Sequence, residues 1–151
     1  MSDFEIFALP AAGGTLALAP LPQGEAVQSL LDWQPDLVVS MTSQDEMDKL
    51  GSGDLGQVLQ AAGVAWHHLP VVDYSTPGSE DIRAIEDAAV AVLRAGGKVL
   101  THCRGGCGRA GMMALRLMIA AGEEADPALT RLRAVRSCAV ETDAQLAWAK
   151  G

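Results

Sequence analysis

The segment Lys98–Ala121, KVLTHCRGGCGRAGMMALRLMIAA, runs from an apolar strand into a glycine-rich turn and out along an apolar helix. A strand that passes straight into a helix belongs to a sheet whose neighbouring strands run parallel and whose faces are covered by crossover helices. The rest of the chain repeats that alternation. FEIFAL and TLALAP, separated by Pro-Ala-Ala-Gly-Gly, read as an N-terminal hairpin or two edge strands. A helix from about Glu25 to Trp33 precedes the branched strand DLVVSM. Ser43 with Glu46 three positions on makes a capping box that opens the helix QDEMDKL. A helix from roughly Asp54 to Ala62, stopped by Gly63, leads to the strand VAWHHLP and the turn-rich loop VVDYSTPGS.

Ser79, followed by Glu80 and Asp81, is expected to open a long helix through Leu93 that ends at Gly96 and Gly97. After KVLTH and GMMALRLMIAA, Asp126 and Pro127 read as an N-cap with proline in the first turn of a helix reaching Arg136. A last helix starts near Thr142. The expected fold class is therefore α/β, a central mostly parallel sheet flanked by helices and joined by right-handed crossovers. The length of 151 residues suits a single domain over residues 1–151.

The start, MSDFEIFALP, lacks a basic region followed by a long apolar core, and Arg116 interrupts the most apolar helix, so a cytoplasmic protein without a membrane segment is expected. Three cysteines are an odd number, and no disulfide framework is expected. The net charge of −8 argues against nucleic-acid binding, which depends on clustered Lys and Arg. Between Arg94 and Arg136, however, eight Lys or Arg stand against three Asp or Glu. That local excess fits either solvated helix faces or an anion site on an acidic body.

The turn from Cys103 to Gly108 lies where α/β sheets bind ligands, at the carboxyl end of a strand and the N-terminus of a helix. Gly105, Gly106 and Gly108 let successive backbone N–H groups curl inward as an anion nest. Three chemistries compete for it. Gly106 to Gly111 matches the dinucleotide fingerprint G-x-G-x-x-G, but GEEADPALTRLRAV stands where the second strand and its acidic residue belong. His102, Cys103, Cys107 and Cys138 offer zinc ligands, yet no second cysteine pair completes a usual site. The third is nucleophilic attack on a phosphate ester. A thiol at a helix N-terminus beside an arginine ionises more readily than a free one. The planar fork of Arg109, six positions after Cys103, can grip two phosphoryl oxygens while backbone N–H groups take the others.

The string HCRGGCGRAG resembles the His-Cys-x-x-x-x-x-Arg signature of the cysteine-based protein phosphatases, in particular the small atypical dual-specificity, cyclin-dependent kinase inhibitor phosphatase-like class. TLALAPLPQ, DLVVSMTSQDEMDKLG, HLPVVDYSTP and VETDAQ follow in the order and rough spacing of that class, so the resemblance covers most of the chain. It implies a protein tyrosine phosphatase-like fold and hydrolysis through a phosphocysteine intermediate, with no metal or other cofactor. Cys103 is then the nucleophile and Arg109 the binder of substrate and transition state. Cys103, Arg104, Gly105, Gly106, Cys107, Gly108 and Arg109 form the phosphate-binding loop, and His102 orders it. Asp73, four residues before Pro77, matches the family's general acid, with an Asx turn as its alternative use. Glu80 and Asp81 are rivals for that role, better explained as first-turn acids.

Gln145 in VRSCAVETDAQLAW matches the glutamine that orients the second-step water, or is an exposed helix residue. His67 and His68 receive no role, and Trp66 reads as core. Ala110 departs from the family, which carries a Ser or Thr hydroxyl after the signature arginine to ease phosphate release. Cys107 either fills space or pairs with an oxidised Cys103. The implied substrates are phosphorylated proteins or small phosphoesters, handled by a monomer. Two alternatives stay beside this reading: a weak pseudophosphatase that binds phosphate or phosphopeptides, and an oxidoreductase resembling thiol arsenate reductases with Cys107 as resolving thiol.

Overall fold

A computed structural model describes residues 4–78 and 82–151. Two strands, β1 (Phe7–Ala11) and β2 (Gly14–Ala19), form the expected hairpin. α1 (Ala26–Asp32), β3 (Leu37–Ser40), α2 (Gln44–Lys49), α3 (Leu55–Ala61) and β4 (Ala65–His68) follow. The second half holds α4 (Arg83–Arg94), β5 (Lys98–His102), α5 (Gly108–Ala120), α6 (Ala125–Val135) and α7 (Asp143–Lys150). The strands line up as β1-β2-β5-β3-β4, antiparallel at the β1/β2 edge and parallel at the three other pairings.

Strand alternation splits the core into two layers. Leu16, Leu18, Leu37, Val39 and Val99 face α4, α5, α6 and α7, where Leu93, Met113, Leu117 and Leu132 are buried. Ala17, Ala19, Val38 and Leu100 face the other way, onto Leu30, Met47, Leu55 and Leu59 of the first three helices. β5 lies between β2 and β3 in the middle of the sheet. Its carboxyl end is therefore walled on both sides by strand ends, and the turn that leaves it is held in a cleft rather than on an edge.

Local signals placed most element ends. Ser43 and Glu46 close the capping box of α2, and Thr142 with Gln145 closes a second one on α7. Two boundaries differ from expectation. α6 begins at Ala125 behind Glu124, so Asp126 is a first-turn acid rather than the cap. Pro127 fits there because the first helical N–H groups have no intrahelical acceptor to lose. α5 begins at Gly108, before the segment GMMALRLMIAA read as its helix, and Arg109 lies in its first turn, as the sequence implied. Ser79, Glu80 and Asp81, expected to open α4, lie outside the described residues.

Candidate active site

β5 ends at His102, and the chain turns through residues 103–107 before α5 takes over. Cys103, the free cysteine among the described residues, is 3% exposed, and the Gly106 N–H donates to its Sγ at 3.3 Å. The turn needs glycine at 106. Its φ is +76°, and a Cβ there would sit 2.7 Å from the backbone of Ala19 and Pro20. α5 starts with no side-chain cap, so its first N–H groups and the positive end of its dipole face the turn.

Arg109 is the largest fully buried side chain. Its Nη1 and Nη2 donate to the two carboxylate oxygens of Glu46 at 2.7 and 3.0 Å, and Nη1 also donates to the Val71 carbonyl at 2.8 Å. Burial is the largest single influence and opposes the guanidinium charge, but the Glu46 hydrogen bonds together with the electrostatic attraction of Cys103, Glu46 and Asp73 outweigh it and hold the arginine pKa above its ordinary value. Burial likewise opposes the Glu46 carboxylate, and the hydrogen bonds and charge of Arg109 together with the Ser43 hydrogen bonds outweigh it, so the Glu46 pKa is lowered. The Nε of Arg109 lies 3.5 Å from Asp73 Oδ1 and makes no hydrogen bond among the described residues. A buried N–H without an acceptor costs about 1–3 kcal/mol, which an anion entering the turn would offset.

Asp73 leans over this centre from the loop after β4, its side chain 48% exposed. Its Oδ1 also accepts the Tyr74 N–H at 3.0 Å, so the local turn bond and the Arg109 contact coexist. Val72 and Tyr74 on either side are exposed. Beside them, Ser43, Glu46, Pro70, Val71, Val72 and Asp73 line a cavity of about 340 Å³.

His102 is fully buried behind Cys103. Trp66 Nε1 donates to Ser40 Oγ at 2.8 Å, and that oxygen lies 2.5 Å from His102 Nε2. The Cys103 carbonyl, 3.4 Å from Nδ1, can only accept, so a neutral ring with its proton on Nδ1 satisfies it and leaves Nε2 to accept the Ser40 hydroxyl, whose oxygen takes the Trp66 N–H. Burial lowers the His102 pKa to about 4, which keeps the ring neutral. Trp66 is half-buried in the core, as expected, and also donates into this chain of hydrogen bonds.

Gln145 is not the exposed helix residue its alternative use implied. It is fully buried, its Oε1 accepts the N–H groups of Glu141 and Thr142 at 2.9 and 3.2 Å, and its Nε2 donates to the Ser75 carbonyl at 3.3 Å. It ties α7 to the Asp73 loop. Ala110 is buried, and its carbonyl accepts the Thr101 hydroxyl at 2.9 Å. Arg104 and Gly105 face solvent, and His68 Nε2 binds the Thr42 carbonyl at 2.6 Å.

Cys107 corrects two expectations. It is neither a passive filler nor a partner of Cys103: it forms a disulfide with Cys138, their Cα atoms 5.1 Å apart. A cysteine 31 positions away in sequence reaches it because the segment before α7 packs on the start of α5. The zinc and arsenate-reductase alternatives both required Cys107 as a free thiol. Among the described residues no group of three or more His, Cys, Asp and Glu is placed to hold a metal, and no helix is long and apolar enough to cross a membrane. Sequence reasoning missed Glu46 as the partner of Arg109, although it found Glu46 as a capping residue. It also missed Ser40 and Arg136, which no local pattern marks, and weighed Cys138 only as a zinc ligand rather than as the partner of Cys107.

A parallel sheet that delivers cysteine and arginine on one strand-to-helix turn is the framework of the protein tyrosine phosphatase fold, and solved structures match it closely. Kinase associated phosphatase, crystallised with its catalytic-site cysteine replaced by serine, superposes with a TM-score of 0.85 at 22% identity, covering 99% of this chain and 93% of that one. Tk-PTP in its active form gives 0.75 at 30% identity, over 95% and 94% of the two chains. The chain belongs to the family described as polymorphic toxin system, DSP-PTPase phosphatase, whose model matches residues 21–123, and so to the atypical dual-specificity phosphatase class. Cyclin-dependent kinase inhibitor 3 of Rattus norvegicus is 31% identical over 103 residues, 66% of this chain and 49% of that protein. The chain spans about half the length of the curated relatives it matches.

Proposed function

We propose that the protein hydrolyses phosphomonoesters through a phosphocysteine intermediate, with Cys103 as nucleophile, Arg109 as phosphate ligand and Asp73 as general acid. The observation that carries this reading is the buried Nε–H of Arg109, which has no hydrogen-bond acceptor among the described residues and lies beside the free Cys103 and, at 3.5 Å, the Asp73 carboxylate. Glu46 holds the guanidinium from behind, leaving Nε–H for a phosphoryl oxygen. Turn N–H groups take the others and stabilise charge in the transition state. Cys103 Sγ forms the bond to phosphorus as the ester P–O bond breaks, and the Asp73 carboxyl gives its proton to the leaving oxygen. Water then attacks the phosphocysteine, Asp73 takes a proton back, and phosphate and thiolate are released. Gln145 supports the second step by holding the Asp73 loop through Ser75.

Phosphorylated proteins and small phosphoesters are the proposed substrates, on tyrosine as well as serine or threonine. The family's description suggests a setting in which this hydrolysis serves a toxin system. A cytoplasmic place of action rests on the sequence, and the Cys107–Cys138 bond weighs against it, since such bonds persist in oxidising compartments. A second reading, a slow or phosphate-retaining enzyme, is favoured by the buried Ala110, which supplies no hydroxyl for phosphate release.

Turnover of a chromogenic aryl phosphate in the presence of a chelator tests the proposal. Wild type is expected to turn over and Cys103→Ser to be inactive, with Asp73→Asn slowed by about 10²- to 10⁴-fold. Turnover that persists in Cys103→Ser sinks the mechanism. Trapped phosphoenzyme without turnover supports the second reading.

A further inference from the structure

The phosphate-binding turn does not hold its own shape. In a trans peptide the C=O of one residue and the N–H of the next point in opposite directions, so whatever grips the carbonyls aims the N–H groups. Every carbonyl from 104 to 107 is gripped from outside the turn. Leu21 N–H takes that of Arg104 at 3.1 Å, Arg136 Nη2 takes that of Gly105 at 2.8 Å and Nε that of Gly106 at 3.3 Å, and Val140 N–H at 3.3 Å shares that of Cys107 with the α5 N–H of Gly111 at 2.8 Å. The Gly105–Gly106 peptide displays the result: its carbonyl is on Arg136 and its N–H is on Cys103 Sγ.

Most of these grips come from residues 136–140, and that segment is itself anchored. The Arg136 guanidinium lies over the Phe7 ring, 4.3 Å from its centroid, and Arg133 donates to the carbonyls of Ala139 and Val140 at 2.9 and 2.8 Å. Its covalent tie to the turn is the Cys107–Cys138 bond, and both cysteines are partly exposed.

We propose that Arg136 and the Cys107–Cys138 bond form an external brace that holds the turn in its anion-binding shape, so that oxidation of these two thiols strengthens phosphate binding and reduction weakens it. The anion being a substrate phosphoryl group rests on the function proposed above; the brace itself needs only an anion. The redox step is simple exchange. A dithiol reductant gives two electrons and two protons, the S–S bond breaks to two thiols, and the reductant leaves as its cyclic disulfide. With the bond open, the turn loses its tie to Cys138, and the fraction of molecules with all N–H groups facing inward falls. Apparent affinity falls with that fraction.

The test uses Cys103→Ser protein, in which only Cys107 and Cys138 can answer to reductant. Tungstate binding is measured by calorimetry on the oxidised form, on the same sample reduced with dithiothreitol, and after removal of dithiothreitol and reoxidation with oxidised glutathione, whose disulfide accepts the two electrons and two protons and leaves as two thiols. Reduction is expected to weaken binding by about tenfold and reoxidation to restore it. Adding Cys138→Ala should give the weaker value with no response to dithiothreitol. Arg136→Lys, which keeps the charge but loses the planar fork, should also weaken binding, and hydrogen exchange of residues 104–108 should rise in each weakened form. Equal affinity in the oxidised and reduced protein overturns the brace, as does absence of binding in both. Redox-dependent tungstate binding without Cys103-dependent turnover in wild type overturns only the proposed function.

Discussion

His102 makes the stability of this fold sensitive to mild acid, by an amount the structure sets. The imidazole is fully buried, lodged between Ser40 Oγ and the Cys103 carbonyl, and burial lowers its pKa from 6.5 to about 4. In the unfolded chain the ring takes a proton near pH 6.5, while in the folded protein it stays neutral until about pH 4. Between those values the unfolded state binds more protons, so stability is complete above pH 6.5 and is lost as pH falls towards 4. At about 1.4 kcal/mol per pH unit, the full loss is about 3 kcal/mol and the loss at pH 5 about 2 kcal/mol. Glu46 does not contribute at pH 5, because its lowered pKa places the loss of its contribution below pH 4.5. Urea unfolding followed by circular dichroism should show a midpoint about 1 M lower at pH 5 than at pH 7. His102→Gln should flatten that dependence, and the His102 ring resonance of wild type should not titrate between pH 8 and pH 5. A folded-state titration near pH 6.5, or an unchanged urea midpoint, refutes the argument.

Three further outcomes can be checked directly. Glu46→Gln removes the hydrogen-bonded counter-charge of a buried guanidinium, leaving it the longer contact with Asp73, and should destabilise the protein by about 3 kcal/mol, with weaker phosphate inhibition, read by chemical unfolding and by competition against the aryl phosphate. Ala110→Ser should raise the steady-state rate and shrink any burst while leaving the first step unchanged; stopped-flow traces identical to wild type refute a role for the missing hydroxyl. Gly108→Ala places a Cβ 2.9 Å from Gln145 Oε1 and against the Glu141 carboxylate, so the thermal midpoint should drop, by an equivalent of about 1–3 kcal/mol, and the α7 cap should loosen in hydrogen exchange.

Much of the architecture is written in short-range pattern. The alternation Leu16-Ala17-Leu18-Ala19 and Leu37-Val38-Val39 names the residues that go to each face of the sheet, and capping pairs such as Ser43 with Glu46 mark helix starts, because these depend on neighbours a few positions apart. The candidate site was legible to the same extent: Cys103 and Arg109 share one turn, and Asp73 stands near a proline in a loop after a strand.

What the sequence by itself determined is this turn, its glycines and the strand and helix on either side. What only the tertiary structure decided is who holds it. Glu46 meets Arg109 across 63 positions because β3 lies beside β5, and Ser40 meets His102 across 62 for the same reason. Cys138 reaches Cys107 because the segment before α7 packs on α5. Those partners are chosen by strand order and helix packing, which bring distant residues together through burial of apolar faces, and burial is a property of the whole sheet that no local window of residues contains.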